Sequence, residues 1–361
     1  KVRYPDRPLL KVRAETSALE NWQRFGPPSQ ALRWCCSVHK STPAVLALKA
    51  RLGSPSVRIL AFVGVRGEES LRRSEYEDIG DGFKNQNQVN AMPILNWSAH
   101  ELFLYIFEND LVLNQDYRNG LPRVGCLLCP MSSDRQTELI RREYSRAVQP
   151  YIEEVKRSSN RAFITPEDAE QFAFTGGWHA RKSGVSLREV IDTPNIEYKD
   201  EKITYLLPLK SSKTMLEWLK TVGKVERLRD GIGFILRTQR GTVDFYIEEL
   251  ENGERVIFSF PNRKPDKMII SALTRVVNKT IGCVGCRTCE AECPTAALTF
   301  TPHVAVDAAR CICCQKCHLP QQEGCLRYFS KRYAGGSTMN ISGINKYMTF
   351  GLRPEWIAVL S

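Results

Sequence analysis

The chain has no long apolar stretch. Nowhere do hydrophobic residues run for the roughly 18–20 positions that a membrane-spanning helix requires, so an integral membrane protein is not expected. Lys1 to Glu15 is charged and broken by proline, unlike the charged cap and apolar core of a secretory leader. With Lys rather than Met in first place, further sequence upstream is also expected. Glycine-rich phosphate cradles are missing: Gly231-x-Gly233 and Gly335-Gly336 lie in the wrong contexts. A disulfide framework is not expected either, because the chain is long, has no leader and carries an odd number of cysteines, thirteen. Its basic excess is not gathered into one stripe, which weakens the case for a nucleic-acid groove.

What is present suggests two or three domains. The 361 residues exceed what one ordinary core accommodates. A net charge of +11 favours an anionic partner, nucleic acid among them, without naming one. Residues 1–195 alternate helix and strand signals before turning mainly helical. Ser41-Thr42-Pro43 opens a helix to Arg51 with a Thr cap, and Gly53 follows its end. Val57–Val65 reads as a buried strand, and Ser98 with Glu101 forms a capping box before Leu102–Phe107. That alternation predicts a parallel α/β sheet. Ser133–Ser158 is a long amphipathic stretch broken near Pro150, with shorter helices starting at Thr165-Pro166 and at Ser186.

Residues 196–280 predict an α+β domain. Its strands are expected at Ile203–Leu207, Val225–Thr238, Val243–Leu250 and Arg255–Phe260, the last two joined by an Asn252-Gly253 turn. Helices are expected over Ser212–Val222 and Asp266–Lys279, and the segment shows no chemistry of its own. Residues 281–333 are dense in cysteine with little apolar content, so bound metal is expected to organise them. A tail, 334–361, ends in an apolar-aromatic stretch expected to dock on the body.

Cysteine spacing is the strongest signal. Cys283-x2-Cys286-x2-Cys289-x3-Cys293-Pro294 fits the bacterial ferredoxin run, whose fourth cysteine serves a neighbouring cluster. Cys311-x2-Cys314-x2-Cys317 follows, with Cys325 eight positions on. The simplest pairing crosses over. Cys283, Cys286, Cys289 and Cys325 would hold one [4Fe–4S] cluster, and Cys311, Cys314, Cys317 and Cys293 the other. Zinc knuckles are the alternative, but they use paired Cys-x2-Cys hooks rather than triple runs. Cys313 is spare and expected to pack. Adjacent Cys35-Cys36 and distant Cys126-x2-Cys129 would complete a third cluster, or else be two buried thiols and an incomplete zinc hook.

Three ordered blocks carry a family resemblance. Phe25-Gly-Pro-Pro-Ser-Gln-Ala-Leu-Arg33-Trp34-Cys35-Cys36 with Lys40, Gly64-Val-Arg66-Gly-Glu-Glu69-Ser70-Leu-Arg-Arg73, and Pro93-Ile-Leu-Asn96-Trp97 followed by Asn114-x-x-Tyr117-x-x-Gly120-x-x-Arg123-Val-Gly-Cys126-x-x-Cys129-Pro130 resemble the phosphoadenosine-phosphosulfate (PAPS) reductase-like group. The likeness covers about residues 15–135. It implies that Cys35, Cys36, Cys126 and Cys129 ligate a catalytic [4Fe–4S] cluster, as in the iron–sulfur branch. Arg33, Lys40, Arg66, Glu69, Ser70, Arg73, Asn114 and Arg123 would bind substrate. Arginine forks after a parallel strand suit phosphate or sulfate oxygens, although ion pairs with Glu68, Glu69 or Glu75 are the plainer use of Arg66 and Arg73. Trp34 would shield the cluster or stack on a base.

Two family features are absent from the sequence: the Ser-Gly-Gly-x-Asp-Ser phosphate loop ahead of the Cys-Cys block, and a cysteine beyond Cys325. An assimilatory sulfonucleotide reductase is therefore not the expectation. The resemblance implies an α/β parallel-sheet domain without its N-terminal phosphate-loop part, then the α+β domain and a small ferredoxin-like iron–sulfur domain. Three [4Fe–4S] clusters and ATP or another adenosine nucleotide are the implied cofactors. The implied activity is sulfur insertion, in the manner of the sulfurtransferase of DNA phosphorothioation systems. Sulfonucleotide reduction, tRNA thiolation or a non-catalytic electron-transfer or scaffold role are the alternatives. A cysteine desulfurase, other modification subunits, DNA and an electron donor are the expected partners, in the cytoplasm.

Overall fold

Among the described residues a three-stranded sheet, a six-stranded sheet and a cysteine-rich segment with its own two-stranded pair organise the chain. The structure, a computed structural model, describes residues 10–30, 32–81, 87–121, 123–159, 165–180, 196–199, 201–208, 210–229, 231–260, 266–300, 303–319 and 325. The helix expected at Ser186 and the tail 334–361 lie outside them.

In the N-terminal region Ser17 and Glu20 form a capping box that starts α1 (Ala18–Phe25). A helical path then runs without interruption from α2 (Trp34–Cys36) through a π-helical turn (Ser37–Ser41) into α3 (Thr42–Leu52), which closes on Gly53 at φ +59°. The Thr cap expected at residue 42 is therefore not made. Ser41 already has helical dihedrals (φ −71°, ψ −49°), so no orphan N–H group needs a cap there.

Strand β1 (Ile59–Phe62) is followed by α4 (Leu71–Ser74), β2 (Ile79–Asp81), β3 (Gln88–Ala91), α5 (Ala99–Glu108) and α6 (Gln115–Arg118). The sheet order is β1-β3-β2, with β1 parallel to β3 and β2 antiparallel to it. The parallel pair follows expectation; the burial of β1 does not. Leu60 is 60% exposed and Phe62 75% exposed, because β1 is an edge strand covered only on the Ile59/Ala61 face.

Helices α7 (Asp134–Glu143), α8 (Ser145–Ser159) and α9 (Pro166–Phe174) complete this region. The break in the long amphipathic stretch falls at Tyr144, not at Pro150. Tyr144 leaves helical geometry (φ −121°) and its hydroxyl is anchored on Asp116 of α6, while Pro150 sits inside α8.

The second region runs β4 (Ile196–Lys199), β5 (Lys202–Leu207), α10 (Ser212–Leu219), β6 (Lys224–Arg227), β7 (Phe234–Thr238), β8 (Gly241–Leu250), β9 (Gly253–Ser259) and α11 (Lys267–Gly282). Its sheet has the order β4-β5-β9-β8-β7-β6 and is antiparallel throughout. The stretch 225–238 thus forms two strands rather than one. Leu250 pairs with Gly253, so the hairpin turns at Glu251-Asn252 and not at Asn252-Gly253. Gly253 belongs to the strand because a Cβ there would lie 2.5 Å from the Leu207 carbonyl oxygen. Tyr205, Phe245 and Phe258 of the sheet bury against Met215 and Trp218 of α10 and Leu273 and Val276 of α11.

Helix α11 leads directly into Cys283, its C-cap residue. Beyond it come α12 (Thr288–Ala291), the small antiparallel pair β10 (Leu298–Thr299) and β11 (Ala305–Val306), and a 3-10 turn at Lys316–His318. Leu298, Val306 and Cys289 join the same apolar core as the α+β sheet, so that core is continuous across residue 280. Among the described residues no helix is long and apolar enough to cross a membrane.

Candidate active site and cysteine clusters

Cys35 and Cys36 sit in the short helix just before the π-helical turn, and π-turns recur at functional sites because they re-aim side chains mid-helix. The fold brings Cys126 and Cys129 to them. The Cys35 thiol is pushed far above its ordinary range, first by its hydrogen bond with Cys36, then by burial and by the Cys36, Cys129 and Cys126 sulfurs. Cys35 so placed resists ionisation on its own and would lose its proton to a cationic core. Trp34 closes the inner side. It is 1% exposed, stacks on Phe25 with centroids 4.6 Å apart and donates its indole N–H to the Gly26 carbonyl at 3.1 Å. Buried in this way, its ring shields the cysteines and is not open to a base.

Arginines from three separate sequence blocks meet, and a lysine lies beside the thiols. Arg73, on α4, is held below its usual range by burial first and then by the neighbouring charges of Arg123 and Arg33. Lys40 lies against Cys126, Cys36 and Cys129; partial burial disfavours its charge, but the sulfurs outweigh this and raise it above the usual range. Arg33, Arg73 and Arg123, three like charges drawn together, form a candidate anion site. Glu69 partly neutralises it, being paired with Arg73 and lying 3.9 Å from Arg66, which is also paired with Glu68.

The remaining expected substrate residues are less directly placed. Ser70 is exposed at the N-cap position of α4, where its side chain makes no capping bond. Asn114 caps α6, its side chain accepting from the Asp116 N–H at 3.0 Å.

In the cysteine-rich segment the neighbours fall into two sets. Cys283, pushed up to about 11 mainly by burial, has Cys325 and Cys286 beside it. Cys289, also raised by burial, faces Cys286, Cys317 and Cys283. Cys317, likewise pushed up to about 11 by burial, has Cys314, Cys311 and Cys293 around it. The two runs repeat one backbone path. Gly285 (φ +66°) and Arg287 (φ +60°) occupy the same steps of the first run as Cys313 (φ +52°) and Gln315 (φ +56°) do of the second. Cys313 therefore fills a loop position that glycine takes in the first run, its sulfur 3.7 Å from the Lys220 carbonyl oxygen.

Among the described residues no group of three or more His, Cys, Asp or Glu is set closely enough for one metal ion. Cubane ligands bind different irons and stand farther apart than ligands around a single ion. All three sets have the donor chemistry a cubane takes: four cysteines each.

The cysteine-rich segment is fastened to the N-terminal region. Lys49 donates to the Cys293 carbonyl at 3.1 Å, Thr42 and Thr288 hydroxyls meet at 3.1 Å, and Arg24 donates to the Val284 carbonyl at 3.3 Å. Cys35 and Cys286 pack against one aromatic core built on Trp22, Phe25, Trp34 and Trp178.

Residues 2–132 match the phosphoadenosine phosphosulfate reductase domain. This part of the chain is similar to that domain. An uncharacterized protein of Methanocaldococcus jannaschii is 31% identical over 140 residues, 38% of this chain and 32% of the relative. Another from that organism is 28% identical over 138 residues, 38% of this chain and 28% of the relative. An adenosine 5'-phosphosulfate reductase of Oceanobacillus iheyensis is 32% identical over 131 residues, 36% of this chain and 47% of the relative. The chain spans between about a quarter and a half of the length of these relatives. No solved structure matches it.

Two residues of this arrangement escaped the sequence reading. His39, in the π-turn of the PAPS reductase-like region, lies near Cys36; burial holds its pKa below the ordinary value, and its Nε2 finds no hydrogen-bond partner among the described residues. A histidine three positions after the Cys-Cys pair was the available signal. Lys279 gave none, because a lysine near the end of an amphipathic helix reads as a solvated charge. It is in fact 2% exposed, with cysteines of both sets around it.

Proposed function

We propose that the chain is an iron–sulfur sulfurtransferase of the PAPS reductase-like kind, which couples adenosine-nucleotide activation to sulfur insertion in DNA phosphorothioate modification. The observation that carries this reading is twofold: Arg33, Arg73 and Arg123 come together, two of them within three residues of Cys35 and Cys126 in the chain, and Lys40 lies against Cys36, Cys126 and Cys129. Cations at that place would bind the phosphate oxygens of a nucleotide or of a nucleic-acid backbone, and sulfur chemistry at the four cysteines would then occur within reach of the bound anion.

Residues Cys35, Cys36, Cys126 and Cys129 would hold one [4Fe–4S] cluster, Cys283, Cys286, Cys289 and Cys325 a second, and Cys293, Cys311, Cys314 and Cys317 a third. When bound, these clusters supply one-electron chemistry and, at the first site, a place for sulfide. The protein's own part is to bind and orient the anion with the arginines, to balance the thiolates with Lys40, and to exclude water behind Trp34. A fully buried Lys279 whose charged neighbours are cysteines supports the ferredoxin-type assignment, since a buried ammonium requires anions and ligated thiolates provide them. The sulfur would come from a cysteine desulfurase.

Similarity to adenosine 5'-phosphosulfate reductases favours a second reading, reductive cleavage of a sulfonucleotide at the same site. Product analysis of the anaerobically reconstituted protein, supplied in one arm with ATP, DNA, a cysteine desulfurase and reductant and in another with adenosine 5'-phosphosulfate and reductant, separates the two. Phosphorothioate linkages in nuclease digests support the proposal. Sulfite released from adenosine 5'-phosphosulfate, with no thiolated DNA, overturns it.

A further inference from the structure

Lys279 is a cation of the α+β domain buried against the cysteine-rich segment. It lies on the last turn of α11, is 2% exposed, donates to the Cys317 carbonyl and stands 4.3 Å from the centroid of the Trp218 ring. Its charged neighbours are Cys289, Cys325 and Cys283 of one set and Cys317 of the other. Nearby His318 adds no second positive charge: it is buried, its Nε2 shares a hydrogen bond with Thr221, and burial together with Lys279 and Arg275 holds it well below its ordinary value. Arg275 directs its guanidinium to Gln315 at 3.0 Å.

A packing role alone would be served better by an apolar side chain, because burying an ammonium is costly unless anions repay it. Trp218 and the Cys317 carbonyl hold the head group in place, and its position between the two sets leaves it acting on both. Iron–sulfur reduction potentials are set by net charge, hydrogen bonds and exposure around the cluster. A fixed positive charge stabilises the reduced, more negative form.

We infer that Lys279 is a positioning and tuning residue for electron transfer, its buried ammonium raising the reduction potentials of both clusters in residues 283–325 and joining them electrostatically to the α+β domain. This rests on the cluster assignment above, and the test separates the two. Wild type, Lys279→Met and Lys279→Arg are reconstituted anaerobically, assayed for iron and acid-labile sulfide, and titrated with mediators while the reduced clusters are followed by electron paramagnetic resonance.

Lys279→Met is expected to disfavour reduction of both clusters at least tenfold, a fall of 59 mV or more for a one-electron couple. Lys279→Arg should stay within threefold of wild type, and the Cys35/Cys36/Cys126/Cys129 signal should not move in either variant. If Lys279→Met takes up no iron, Lys279→Gln, which keeps a donor for the Cys317 carbonyl, is read the same way. Loaded clusters with unshifted potentials in the neutral variant overturn the inference alone, as do equal shifts in the neutral and arginine variants. Wild-type protein without iron in this segment overturns the cluster assignment and the inference together.

Discussion

Glu69 is where geometry and family resemblance assign opposite signs to one substitution. The resemblance puts Glu69 among substrate-binding residues, whereas the structure pairs it with Arg73 and sets it 3.9 Å from Arg66. If Arg33, Arg73 and Arg123 receive an anion, that anion must compete with the Glu69 carboxylate for the Arg73 fork. A charge-assisted hydrogen bond contributes about 1.5–3 kcal/mol. The Arg73 side chain is 24% exposed, so water recovers part of this. A value just under that range, about 1.4 kcal/mol, is then the expected gain on neutralising the competitor, which is about tenfold in affinity.

Glu69→Gln should therefore bind adenosine 5'-phosphosulfate or ATP about tenfold more tightly by isothermal titration calorimetry. Arg123→Ala, which removes an exposed member of the trio, should bind about tenfold more weakly. Both differences should shrink with added salt, since the partly exposed charges are screened. Weaker binding by Glu69→Gln would mean that Glu69 itself contacts the substrate. Unchanged affinity in both variants would remove the anion site from the reading.

Three further outcomes are expected. Anaerobically reconstituted wild type should contain about twelve irons and twelve sulfides on a count of three four-iron clusters, and Cys126→Ser about eight of each with the ferredoxin-type signals intact; an unchanged iron content would remove the first site. Gly223→Ala should destabilise the α+β domain by about 1–3 kcal/mol in thermal or denaturant unfolding, because its Cβ would fall 2.2 Å from the Arg237 carbonyl oxygen and the strand cannot easily yield; an unaltered transition would show that the backbone gives way freely. Trp34→Ala should cost about 3–5 kcal/mol and make the first cluster more labile to oxygen, seen as faster visible bleaching than in wild type; equal stability and equal bleaching would deny Trp34 its shielding role.

Local chemistry was legible where one short segment decides the outcome. The capping box at Ser98 and Glu101, the caps at Thr165 and Asp266, and Gly53 past the end of α3 all act within a turn of their own backbone, and each helix is found where those residues place it. Cysteine spacing proposes the ligand groups; in the fold Cys283 has Cys325 and Cys286 beside it, Cys317 has Cys314, Cys311 and Cys293, and Cys289 also faces Cys317. Fixed steps along a tight loop determine which thiols can share a centre.

What depends on distant partners was not legible. Tyr144 interrupts a helix because Asp116, 28 positions away, holds its hydroxyl. Gly253 is required in a strand because the Leu207 carbonyl lies against it. The convergence of Arg33, Arg73 and Arg123, and the burial of Lys279 between two cysteine sets, belong to the packing of separate elements. Thus the cysteine ladder, the helix ends and the family resemblance were inscribed in the chain itself, through bonds and caps a few residues long. Which charges face one another, and which of them lose contact with water, was decided only when the elements packed, because Coulomb and desolvation energies follow distance and burial in space and not order in sequence.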